Sequence, residues 1–158
     1  MGRRIVSGFV SLLAASGSVS GEGDPPPLPP LVEDQERPVL ALFEHVLTGY
    51  FAEAGARGPT VCATLSPEAL SDEQEEALIL RFVRLAPAER CRATDGGEWQ
   101  DAITGEPART VQIYDFACRS DTLCSGWAAV PGKPAMRYAM RFEGGVWRFD
   151  GDSRIIAE

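Results

Sequence analysis

The sequence predicts an α+β fold in which two N-terminal helices pack on one face of a curved antiparallel meander stapled by two disulfides. Three observations lead there. Two stretches with helical apolar periodicity come first, alternating strands joined by tight-turn signals follow from Arg109 onward, and an even number of cysteines follows an N-terminus with the composition of an export signal.

The N-terminus sets the compartment. Arg3 and Arg4 precede the apolar run IVSGFVSLLAA (5–15), which is too short to span a bilayer, and the small residues ASGSVSG (15–21) offer cleavage points. Residues 1–20 are therefore expected to be a secretory signal peptide, leaving a secreted or periplasmic protein with no membrane attachment after cleavage. Removing Arg3 and Arg4 lowers Lys+Arg from 15 to 13 against 23 acids, a net charge of −10. Such an acidic chain is expected to be repelled by nucleic acid and anionic membranes. Residues 21–37, GEGDPPPLPPLVEDQER, are acidic and proline-dense, which predicts a mobile spacer before a single domain at 38–158.

In that domain, PVLALFEHVLTGYFAEAG (38–55) reads as the first helix, with Val39, Leu42, Phe43, Val46, Leu47, Tyr50 and Ala54 forming an apolar stripe. The β-branched TVCATL (60–65) reads as a strand. SDEQEEALILRFVRLAP (71–87) reads as the second helix: Ser71 and Gln74 fit a capping box, acids crowd the first turn and Pro87 stops it. ERCRAT (89–94) is expected to pair with the 60–65 strand.

The remaining strands are RTVQIYDFAC (109–118), CSGWAAV (124–130), AMRYAMRFE (135–143) and VWRFD (146–150), the last pair joined by Gly144-Gly145. Opposing Cys118 to Cys124, Val130 to Ala135 and Glu143 to Val146 places Asp115 opposite Trp127 and Trp127 opposite Tyr138. Strand alternation then gathers Val111, Ile113, Ala117, Trp127, Ala129, Met136, Tyr138, Met140, Phe142, Trp147 and Phe149 on an inner face. Tyr114, Phe116, Arg137, Arg141, Arg148 and the cysteines of this hairpin fall on the outer one.

This order of helix, strand, helix and a long meander ending in a tryptophan-containing strand resembles the NTF2-like, cone-shaped α+β group. It is also similar to small secreted bacterial proteins of unknown function that carry a C-x5-C hairpin before a GGVWRF-like strand. The resemblance spans roughly 38–150 and implies a fold, and in some members a pocket under the sheet, without an activity.

Four cysteines in an oxidising compartment point to disulfides. Cys118 and Cys124 oppose each other in the hairpin, which leaves Cys62 for Cys91. Zinc ligation wants closer spacing and more ligands than one histidine supplies, and redox catalysis prefers C-x-x-C at a helix start, so no metal and no cofactor are expected. The single histidine, His45, falls opposite the apolar stripe and is expected to be solvated.

The register makes Asp115 the one acid among the inner apolar side chains. Asp115, Trp127, Tyr138 and Trp147 are thus a candidate pocket. Asp115 is either hydrogen-bonded to Trp127 or Tyr138 as a structural group, or a base or ligand hook with a raised pKa. On the outer face Arg137, Arg141 and Arg148 form a candidate anion patch unless acids neutralise them. These features fit a non-enzymatic binding or interaction module for an unknown small molecule or protein. The alternatives are an inhibitor that uses the clamped tip RSDTL (119–123) to block a partner enzyme, and a small enzyme with Asp115 as general base.

Overall fold

A computed structural model describes residues 27–54 and 58–152. The expected signal peptide and the first part of the spacer (21–26) lie outside the described residues. The elements run α1 (Pro38–Ala54), β1 (Thr60–Ser66), α2 (Asp72–Arg81), β2 (Leu85–Ala86), β3 (Cys91–Ala93), β4 (Trp99–Asp101), β5 (Ala108–Ser120), β6 (Leu123–Ala129), β7 (Met136–Glu143) and β8 (Val146–Asp152). The fold is α+β, with two helices, a mostly antiparallel sheet and two disulfides.

The main sheet has strand order β2-β1-β5-β6-β7-β8, and β1 runs parallel to both its neighbours. This corrects the all-antiparallel expectation. Helix α2 is a crossover between β1 and β2, the connection that parallel strands require. The segment expected to pair with β1 instead forms β3, whose partner is β4 in a separate two-stranded arm.

The second helix starts as its sequence predicts. Ser71 Oγ accepts the Gln74 amide at 3.3 Å, and Gln74 Oε1 accepts the Ser71 amide at 3.0 Å. It stops at Arg81, six residues short of Pro87, so that Leu85 and Ala86 can join the sheet.

One core holds the layers together. Leu40, Leu42, Phe43 and Leu47 of α1, together with Leu78 of α2, meet Val61, Val111, Ile113, Ala128, Met140 and Trp147 of the sheet. Burying each large aliphatic or aromatic side chain contributes about 1.5–3 kcal/mol. Glu44 is buried within α1, where its carboxylate accepts the Val32 amide at 2.8 Å and meets Arg81 Nε at 2.9 Å.

The second half of the expected spacer is packed rather than loose. Leu31 is buried in the core, Arg81 donates to the carbonyls of Leu28 and Pro29, and the Trp147 indole N–H donates to the Asp34 carbonyl at 2.9 Å. Two apolar residues after the prolines, Leu31 and Val32, give this segment something to bury.

Cys62 pairs with Cys91 and Cys118 with Cys124, leaving no free cysteine. Such bonds belong to an oxidising compartment. No helix among the described residues is long and apolar enough to cross a membrane.

The register differs from expectation in β6 and in β5 beyond Asp115, where Phe116 packs on the core instead of lying on the outer face and Ala117 is exposed instead of inward. The β7–β8 pairing matches, with Glu143 opposite Val146 and Phe142 opposite Trp147, and both turn glycines have positive φ (63° and 80°) as this tight turn requires. Trp127, however, faces Tyr114 and Arg137 rather than Asp115 and Tyr138. A β-bulge lies between the Tyr114–Trp127 and Ala117–Ser125 pairs, so Asp115 and Phe116 together oppose Gly126. Cys124, Gly126 and Ala128 therefore point inward, and Trp127 and Ala129 point outward.

Candidate functional site

The bulge disperses the expected pocket. Asp115 occupies the left-handed region (φ 50°) and its side chain is exposed, so it faces no inner pocket. Asp tolerates that conformation better than most residues, which explains an acid in an otherwise β-forming strand. Trp127 lies on the outer face with its ring nearly parallel to Tyr114 (10°, centroids 6.1 Å apart). Trp147 is buried in the core. Of the four candidates, Tyr138 borders a cleft.

That cleft of about 310 Å³ lies between α1 and the inner face of the sheet. Its apolar wall is made by Val46, Tyr50, Ala128, Val130, Met136 and Tyr138, and its polar groups are His45, Glu53 and Lys133. Helix α1 supplies His45, Gly49 and Glu53 at four-residue spacing, one line beside the apolar stripe. The loop after β6 supplies Lys133, whose Nζ ion-pairs with the Glu53 carboxylate across the cleft mouth.

His45 is exposed, as its place opposite the apolar stripe predicts, but part of its ring is covered. Its ring stacks on Phe149 (4.3 Å, 10°) and meets Tyr138 edge-on at 5.5 Å. Burial holds the imidazole below its ordinary pKa, so it is neutral at pH 7, with one nitrogen able to accept and the other to donate. Burial likewise raises the Tyr138 phenol, outweighing the opposing effect of Lys133, and keeps its proton available for donation.

Gly49 is the telling residue. A Cβ built on it meets no atom within 4 Å, and it borders the cleft. Glycine inside a helix costs about 1 kcal/mol relative to alanine, and no close packing or positive φ demands it here.

Comparison with protein-family models, curated proteins and solved structures finds no match to this chain. Among the described residues, no group of three or more His, Cys, Asp or Glu side chains is placed to hold a metal ion.

The other expected features fall elsewhere. Arg137, Arg141 and Arg148 point outward, and Arg141 pairs directly across from Arg148. The tip at 119–123 closes in a two-residue turn, and its Thr122 carbonyl accepts the Phe142 amide at 2.9 Å, tying it to the neighbouring hairpin. More open hollows flank this tip and Trp99.

One buried hub is missing from the sequence expectations. Asp101 is fully buried, with its carboxylate accepting from the Thr60 hydroxyl at 2.6 Å, from Arg90, and from the amides of Ile103 (2.9 Å) and Thr104 (3.4 Å). DAITG (101–105) is the local signal for such a turn, because Asp side chains bond amides two or three residues on. The hub sits beside the Cys62–Cys91 bond, and the two together fix the β3–β4 arm to β1.

Proposed function

We propose that this is a secreted or periplasmic, non-enzymatic binding module that takes a small, largely apolar molecule in the cleft between α1 and the sheet. The observation carrying this proposal is the apolar-walled cleft itself, bordered by Gly49, an exposed glycine inside a helix at a cost in helix stability. The volume lies at the lower end of the range for small-molecule sites, about 300–1,000 Å³. An apolar wall with few polar groups suits a ligand that offers one hydrogen-bonding end to His45 and the Tyr138 hydroxyl while its body lies on Val46, Val130 and Met136. The Glu53–Lys133 pair is exposed on both sides, so opening it costs about 1 kcal/mol or less and leaves an entrance. The helix-over-sheet arrangement agrees with the pocket that the NTF2-like resemblance implies.

The test is a screen of small aromatic and aliphatic alcohols and acids by amide chemical-shift mapping. Binders should move Gly49, Tyr50, Lys133 and Tyr138 together. Binders that instead move the 119–123 tip would favour an interaction through the hairpin and remove the cleft proposal.

A further inference from the structure

The outer face of the sheet has an unusual relief. Because cross-strand partners share a face, the pairings sort its side chains into rows that run across the strands. One row is Tyr114, Trp127 and Arg137, with Asp152 at the register position opposite Arg137, and the next is Ala117, Ser125, Ala139 and Asp150. The third is Leu123, Arg141 and Arg148, with Arg119 beside it on β5. Two tall rows thus flank a row of small side chains. At about 3.3 Å per residue the flanking rows stand about 13 Å apart, and the space between them is a trough of about 520 Å³.

The chemistry of the trough is mixed in a specific way. Among the described side chains, Arg119 and Arg148 have no carboxylate within ion-pair distance, and Arg141 has only Glu143 at 3.8 Å. Arginines facing each other across strands destabilise a sheet unless an anion bridges them, and this cluster stands on a chain of net charge −8. A guanidinium fork matches a carboxylate with two parallel hydrogen bonds. The floor is made by Ser125 and Ala139, and Asp150 stands at its β8 end, where its carboxylate would accept hydroxyl hydrogens.

The geometry points to a second binding site on this face, for an acidic glycan whose carboxylates engage Arg137, Arg141 and Arg119 while a sugar ring lies on the small-residue floor beside Asp150. The small floor leaves room for a pyranose ring, the arginine forks match a uronate carboxylate with paired hydrogen bonds, and Asp150 accepts from ring hydroxyls. An oligothymidylate would meet the same arginines but offers no row of hydroxyls for Asp150 to accept. The site lies on the opposite side of the sheet from the cleft and does not depend on it.

The test is titration of the full chain with tetragalacturonate in low-salt buffer, followed by tryptophan fluorescence and calorimetry. Maltotetraose and an oligothymidylate of matched length serve as comparisons. Tetragalacturonate is expected to bind, with weakening at higher salt, and Arg137→Ala and Arg141→Ala should each lower affinity about tenfold or more. Both arginines are exposed, so the variants should fold normally, and Arg141→Ala should melt at or slightly above wild type because it removes a facing like charge. Ala139→Leu, which raises the floor, should abolish binding. Equal binding of maltotetraose, equal or tighter binding of oligothymidylate, unchanged affinity in both arginine variants, or no binding at millimolar ligand would each overturn the site.

Discussion

Phe116 lies over Gly126: a Cβ built on the glycine would stand 2.9 Å from Phe116 Cδ2 and 3.4 Å from its Cα. The contact comes from the bulge. With one extra residue in β5, Phe116 turns inward onto the strand opposite, and only a residue without a side chain leaves it room.

Gly126→Ala should therefore destabilise the fold by about 1–3 kcal/mol through overpacking. At the other half of the bulge, Asp115→Gly should be neutral or mildly stabilising, because glycine adopts positive φ freely. Asp115→Val should cost about 1–2 kcal/mol, because a β-branched residue resists the left-handed region. Urea midpoints of the three variants check this; equal effects of Gly and Val at position 115 would mean that the bulge is absent.

The bulge also explains what was legible in the sequence. The helices, the capping box, the glycine turn, both disulfide pairings and the inner faces of β7 and β8 follow from local pattern. So does the outward direction of the three candidate arginines. A bulge and a six-residue β6–β7 loop (130–135) each shift pairing by one residue, and a one-residue slip exchanges the faces of a strand. That moved Trp127 outward and Asp115 out of the expected pocket. The cleft was harder to see, because its polar residues come from helix and loop positions distant in sequence. The four-residue spacing of His45, Gly49 and Glu53 was its one local sign.

The Asp101 hub should govern acid stability. Its carboxyl is held well below the usual range by the Thr60 hydroxyl first, then by Arg90 and the Ile103 amide. A depressed folded pKa contributes stability that is present above the unfolded value, near pH 4, and is lost as pH falls below it. Asp101→Asn should lower the melting temperature at pH 7 and reduce the steepness of the loss below pH 4. An unchanged acid limb would contradict the role of the carboxylate.

The disulfides should contribute unequally. Chain-entropy reasoning assigns about 3.5 kcal/mol to the Cys62–Cys91 loop and about 2–2.5 kcal/mol to the shorter Cys118–Cys124 loop. Paired Cys→Ser variants in denaturant melts should keep that order. The reverse order would show that the β3–β4 arm is held mainly by the Asp101 contacts.

His45 should give a signal near neutrality. Because burial lowers its pKa in the fold, protonation favours the unfolded chain. Its contribution is complete above about pH 6.5 and declines as pH falls from there toward the folded value. His45→Phe keeps a ring against Phe149 and should remove this part of the pH dependence. A wild-type profile and a variant profile that run parallel between pH 7 and 5 would show that the imidazole is not desolvated.

The most direct measurement is a comparison of wild type, Gly49→Ala and Gly49→Leu for both stability and binding of a ligand found by the shift-mapping screen. A side chain at position 49 enters open space, and both substitutions remove the helix cost of glycine. Gly49→Ala should raise stability by about 1 kcal/mol, and Gly49→Leu should be at least as stable as wild type while losing most of its affinity. A glycine kept for an open cleft predicts this opposition of stability and binding. Undiminished affinity in Gly49→Leu, in a protein that folds normally, would contradict it.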